Sequence, residues 1–235
     1  MGKNIKITLL LIGAIIISSC EKKATEMDFE KSVMTEIFPS LVDSICVDSR
    51  KMLPPPSMGE NVYDKAGHYV RTDSTKATKE QKIEYSEWKK ERDKLEKDTS
   101  AVIIAFDPFL RKNEKLIEES KIYFPKIEIY SAKNMEESKF RFDFEKIRLN
   151  NKFKIKNISE FPKVEFPGRI TDLKYDFVFS GIFYLSRIQF DKKKKVGVLE
   201  GSFDFCGKCG RYFIILIKKV NNKWVIEEMK LTAVS

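Results

Sequence analysis

The chain carries one histidine, His68, in 235 residues. A hydrolytic triad needs an imidazole base, so such chemistry would rest on a single side chain in a polar loop. No GxSxG, P-loop, HExxH or calcium-loop pattern occurs. No cofactor is expected. The apolar run Ile7–Ile17 has 11 residues, too few to cross a bilayer as a helix. No basic run is interleaved with aromatic residues as on a single-strand platform, so no nucleic-acid partner is expected. Cysteine is scarce at four, and no repeat of fixed period is present.

The amino terminus supplies a clear pattern. Lys3 and Lys6 form a positive region, Ile7–Ile17 an apolar one, and small residues then lead to a cysteine. Residues 1–19 read as a secretory signal. Ile17-Ser18-Ser19-Cys20 resembles the bacterial lipoprotein lipobox. That resemblance implies that Cys20 becomes the lipidated first residue of the mature chain, with the membrane as its partner through acyl chains. By the same analogy, Glu21 in place of an aspartate implies the outer membrane. Residues 20–26 read as the lipidated cysteine and a short polar tether.

Lys and Arg number 44 and Asp and Glu 35, a formal charge of +9. Removing residues 1–19 takes two lysines and no acids, leaving 42 minus 35, or +7. A basic domain at a membrane can meet anionic lipid or polyanionic glycan, and Lys192–Lys195 is its densest run. An envelope protein is the other partner class expected.

Residues 27–235 read as one α+β domain, helical over 27–98 and mainly β over 101–235. Phe29, Val33, Ile37, Leu41 and Ile45 recur every four residues beside Met34, Phe38, Val42 and Cys46. That is a wide apolar helical face. Pro39 inside it predicts a kink or two helices. Residues 53–78, with Pro54-Pro55-Pro56, read as a long loop or extended segment. Residues 79–98 read as an exposed charged helix with a thin stripe at Tyr85, Trp88 and Leu95. Residues 101–106 read as a buried strand, and about 111–119 as helix. Phe140, Phe142 and Phe144 alternate with Arg141, Asp143 and Glu145. With residues 152–156 they predict a hairpin. Residues 175–191, 196–205, 211–220 and 223–231 read as an antiparallel meander.

Within the meander lies FDFCGKCGRYF, residues 203–213. Strands flank Cys206 and Cys209, so the helix terminus that acidifies a redox CxxC is missing. Zinc would need further ligands, such as Cys46 and His68. The expectation is a disulfide-stapled hairpin in an oxidising compartment, with Gly207 and Gly210 supplying positive φ and Cys46 a lone buried thiol. Glu227-Glu228 and Glu118-Glu119 read as solvated acids rather than a catalytic pair.

Ser186-Arg187-Ile188 with Phe190, the Cys-Gly turn, the aliphatic strand ending in Lys218-Lys219, an Asn turn and Trp224 form a longer pattern. It resembles the carboxy-terminal end of lipoproteins of unknown function in the Bacteroidota. The resemblance implies a β-rich end and an anchored location, and no activity. The function expected is a lipid-anchored, non-enzymatic binding module of the cell envelope. The alternative is a thiol–disulfide or metal-binding factor using the CGKC turn.

Overall fold

The computed structural model describes residues 25–130, 139–149, 151–165 and 167–234. The signal segment and Cys20 lie outside the described residues. Helix α1, Glu26–Ile45, begins where Thr25 and Asp28 form a reciprocal capping box. The last two residues read as tether are thus a helix cap and the first helical residue. Pro39 sits inside one continuous helix rather than between two. A proline removes one backbone hydrogen bond. Here Ile37, Phe38, Leu41 and Val42 are fully buried around it, and that packing holds the helix together.

Residues 53–78 are not only loop. Strands β1, Glu60–Tyr63, and β2, Tyr69–Asp73, pair antiparallel. Asp64 organises their turn by accepting hydrogen bonds from the amides of Ala66 and His68, and Gly67 takes a positive φ. Helix α2, Lys79–Lys97, buries no residue. It is tied to a 3-10 turn at Ser49–Met52 through Arg50–Asp98 and Lys51–Glu96 ion pairs.

The main sheet is built from β3, Val102–Phe106; β6, Phe153–Asn157; β7, Val178–Leu185; β9, Val196–Cys206; β10, Cys209–Val220; and β11, Lys223–Val234. Its order is β11-β10-β9-β7-β3-β6, with the short β8, Gln189–Phe190, also paired to β9. The meander β9–β11 is antiparallel, closed by Asn221 and Asn222 at φ 49° and 63°. Two positive φ values in a two-residue link match the twist of the strands it joins.

The hairpin expected of residues 139–156 does not form. Strand β6 runs parallel to β3, while β5, Lys139–Arg141, pairs antiparallel with β4, Phe109–Arg111. Strand β3 is almost wholly buried, and β7 covers its other edge, also in parallel. A strand covered on both faces takes partners on both edges, and alternation fixes which face a residue takes, not which strand it joins. Phe140, Phe142 and Phe144 do face the core together. Helix α3 falls at Leu116–Tyr123, after β4 rather than over 111–119. Gly181, at φ 153°, sits where the β3–β7 register shifts; a Cβ there would lie 2.4 Å from the Asp204 carbonyl oxygen.

The sheet has two different faces. Leu199, Phe203, Phe213, Ile215 and Ile217 pack with α1 in the main core. On the other face two smaller clusters stand apart. One joins Leu116 and Phe124 to Val198, Ile214 and Leu216. The other joins Phe161 and Ile170 to Ala105 and Ile182.

One ion pair is sealed under α1. The Glu30 carboxylate accepts from Arg187 Nη2 at 2.6 Å and Nε at 3.1 Å, and from the Ile188 amide at 2.8 Å. Both residues are under 5% exposed. Burial pushes the Glu30 carboxyl up, against the Arg187 contacts that favour its charge. At the other end of α1, Asp48 accepts from Arg50 and Lys152. Desolvation raises its pKa, but those two cations win and hold it at about 2.

Replacing Arg187 by Met should therefore cost about 3–5 kcal/mol, because it strands a buried carboxylate. The double change Glu30→Gln with Arg187→Met should be clearly milder. Urea unfolding of both variants checks this; equal losses would mean that the charge pairing itself does not matter.

Candidate functional site

Strand β9 brings Glu200, Ser202 and Asp204 onto the face turned away from α1, because alternate residues share a face. Register sets Ser202 between Tyr184 on β7 and Tyr212 on β10. The gap between the two outer clusters exposes Tyr184, Glu200, Ser202 and Tyr212 in a cleft of about 320 Å³. Arg111 at the end of β4, with Lys112 and Asn113 after it, lines its side, and Thr232 on β11 its far wall. Arg111 is held by Asp107 at 2.7 Å, and its carbonyl accepts from the Arg187 amide at 2.9 Å.

Burial shapes the chemistry. It raises the Glu200 carboxyl, with the Asn113 hydrogen bond opposing and the charge of Glu119 adding. It raises Asp204, against Tyr212. It pushes the Tyr184 phenol up to about 12, helped by the charges of Asp204 and Asp107. Asp204 Oδ1 is buried with no hydrogen-bond partner among the described residues. A buried acceptor left unpaired costs about 1–3 kcal/mol; Asp204 lies beyond the residues that line the cleft. Glu200 and Asp204 are four residues apart on one strand, about 13 Å, wider than the carboxylate spacing of glycoside hydrolysis.

The residues singled out in the sequence lie elsewhere. The Cys206 and Cys209 sulfurs are 1.99 Å apart, at disulfide distance, on the register pair that joins β9 to β10. Neither Gly207 nor Gly210 adopts positive φ, contrary to expectation. Gly207 serves another end: a Cβ there would come within 2.8 Å of the Asp172 carboxylate. Cys46 is a buried free thiol, raised well above the ordinary range by desolvation and the charge of Asp43. His68 is exposed beside Asp64 in the β1–β2 turn. Among the described residues no three His, Cys, Asp or Glu side chains gather as a metal site, so Cys46 and His68 do not join the cysteine pair. Glu227 and Glu228 bind different lysines, Lys218 and Lys230, each at 2.5 Å. Among the described residues no helix is long and apolar enough to cross a membrane.

Comparison with protein-family models, with curated proteins and with solved structures finds no match to the chain.

Glu200 has its pKa raised in the folded state, so folding favours its protonated form. Its contribution to stability should therefore fall as pH rises from the ordinary glutamate value through the folded one. Glu200→Gln should remove that slope and leave the protein at least as stable as wild type at pH 7. Denaturant unfolding between pH 4 and 8 checks it; a variant markedly less stable at pH 7 would show that the carboxylate is held by favourable contacts. For the cysteine pair, alkylation of the denatured, unreduced mature chain should modify Cys46 alone. Labelling of Cys206 and Cys209 would remove the staple.

Proposed function

We propose that this chain is a lipid-anchored protein of the cell envelope, a non-enzymatic binding module held at the membrane through Cys20. The observation that carries this reading is the sequence Ile17-Ser18-Ser19-Cys20, behind a positive and then an apolar segment, five residues ahead of the helix cap Thr25. Glu21 after the cysteine favours the outer membrane. A cysteine pair at disulfide distance suits an exported protein, since such bonds persist in oxidising compartments.

As a binding module the chain offers the outer-face cleft. Its hydroxyls, from Tyr184, Ser186, Ser202, Tyr212 and Thr232, and the half-buried Glu200 carboxyl suit a small polar ligand. Catalysis is the weaker reading, because the cleft holds no imidazole or thiol as nucleophile or base. A thiol–disulfide factor is weaker too. Cys206 and Cys209 end strands, without a helix terminus to stabilise a thiolate.

The full chain expressed in a lipoprotein-processing bacterium with labelled palmitate should incorporate label and fractionate with membranes. Cys20→Ala should lose both. An unlabelled wild-type protein released in soluble form would overturn the anchored reading.

A further inference from the structure

Three elements meet at the end of the domain where α1 begins. They are the first turn of α1, the turn from Asp191 to Val196 between β8 and β9, and the Asn221-Asn222 turn between β10 and β11. Phe29 of α1 packs 5.1 Å from Phe190 and 6.2 Å from Trp224, ring to ring. Lys194 reaches Glu26 at 3.3 Å and lies 4.9 Å from the Phe29 ring. The Lys219 amide donates to the Lys195 carbonyl at 2.8 Å. The lysine run, which looks like an isolated loop in the sequence, is therefore joined by Lys219 and Lys223 from the neighbouring turn.

The charge of this rim is unbalanced by construction. Asp191 spends its carboxylate on the loop itself, accepting from the amides of Lys195 at 2.7 Å and Val196 at 2.9 Å. Glu26 is taken by Lys194 and Glu227 by Lys218. Lys193, Lys195, Lys219 and Lys223 are exposed and form no ion pair among the described residues. Lys192 lies over the Tyr130 ring. Tyr130 and Val220, 39% and 38% exposed, add apolar surface beside the cations.

We propose that this rim is a membrane-docking surface for anionic lipid headgroups, and that it orients the anchored domain. The inference rests on the lipidated reading of Cys20. Thr25 is five residue steps from Cys20, and even fully extended these span only about 18 Å. The tether thus delivers to the bilayer the end of the domain that carries Lys193, Lys195, Lys219 and Lys223. Each lysine near an anionic leaflet multiplies binding by roughly fivefold. The disulfide turn lies at the other end of β9, an 11-residue strand, about 34 Å away.

The test uses the lipidated mature protein on vesicles of phosphatidylcholine alone or with about one-third phosphatidylglycerol. Flotation with neutral vesicles reports the anchor. Amine acetylation read by mass spectrometry reports the rim. On anionic vesicles Lys193, Lys195, Lys219 and Lys223 should be protected several-fold, and Lys208, at the disulfide turn, should not. High salt should abolish the protection, and neutral vesicles should not give it. A variant with these four lysines changed to Gln, all on exposed positions, should float normally yet leave Lys192 unprotected. Flotation without protection of the rim on anionic vesicles overturns the docking surface and leaves the anchor intact. Failure to float with neutral vesicles overturns the anchor; the rim then survives only if anionic vesicles still protect it. Equal protection by inorganic phosphate in place of vesicles would mark a simple anion site and also overturn the proposal.

Discussion

The rest of the structure hangs on the ion pair between Glu30 and Arg187. Apolar packing brings α1 to the sheet but is not directional. A helix face as wide as this one could rotate or slide by a turn and still bury its side chains. The carboxylate of Glu30 removes that freedom, because it must meet a guanidinium and the Ile188 amide at once. Misplaced, it would be a buried charge without compensation, which costs far more than a misplaced methyl group. The pair thus makes one docking of the helix better than its neighbours, whatever its net effect on stability.

The outer cleft and the basic rim both inherit that choice. Arg187 sits in the link between β7 and β8. Its amide binds the Arg111 carbonyl, which fixes one side of the outer cleft. Its neighbour Ser186 accepts from the Glu200 amide and donates its own amide to the Glu200 carbonyl. Downstream, β8 leads directly into the lysine turn beside the first turn of α1. The same short link therefore sets the cleft on one face and the basic rim at one end.

The sequence made local periodicity legible and left long-range pairing obscure. The α1 stripe, the charged α2 and the meander β9–β11 follow from spacing and turn residues close in the chain. The partners of residues 139–157 do not. Alternation placed Phe140, Phe142 and Phe144 on one face, but the buried β3 decided that β6 would join it in parallel. The cleft was missed for a related reason. Glu200 and Asp204 look like any solvent-facing acids on an alternating strand. They become half-buried only because two segments distant in sequence roof the sheet on either side of them. One signal was present and went unread: Glu30 lies four residues before Met34, on the apolar stripe itself, where a charge demands a partner.

A short tether changes what a weak surface can do. A free domain presenting this rim would bind a leaflet only loosely at physiological salt, since exposed charges are screened beyond about 8 Å. With Cys20 lipidated as proposed, the same lysines would be held within about 18 Å of the headgroups and act at a high effective concentration. They need only distinguish among orientations, not supply attachment. The exposed ion pairs elsewhere on the domain contribute little to such a choice, because in each the cation is matched by its carboxylate. The rim differs in having its acids occupied by the loop and by other lysines. On the proposed reading, attachment through Cys20 and orientation through the rim are separate tasks, and the hydrophobic term that would perform the first leaves the electrostatic one free to perform the second.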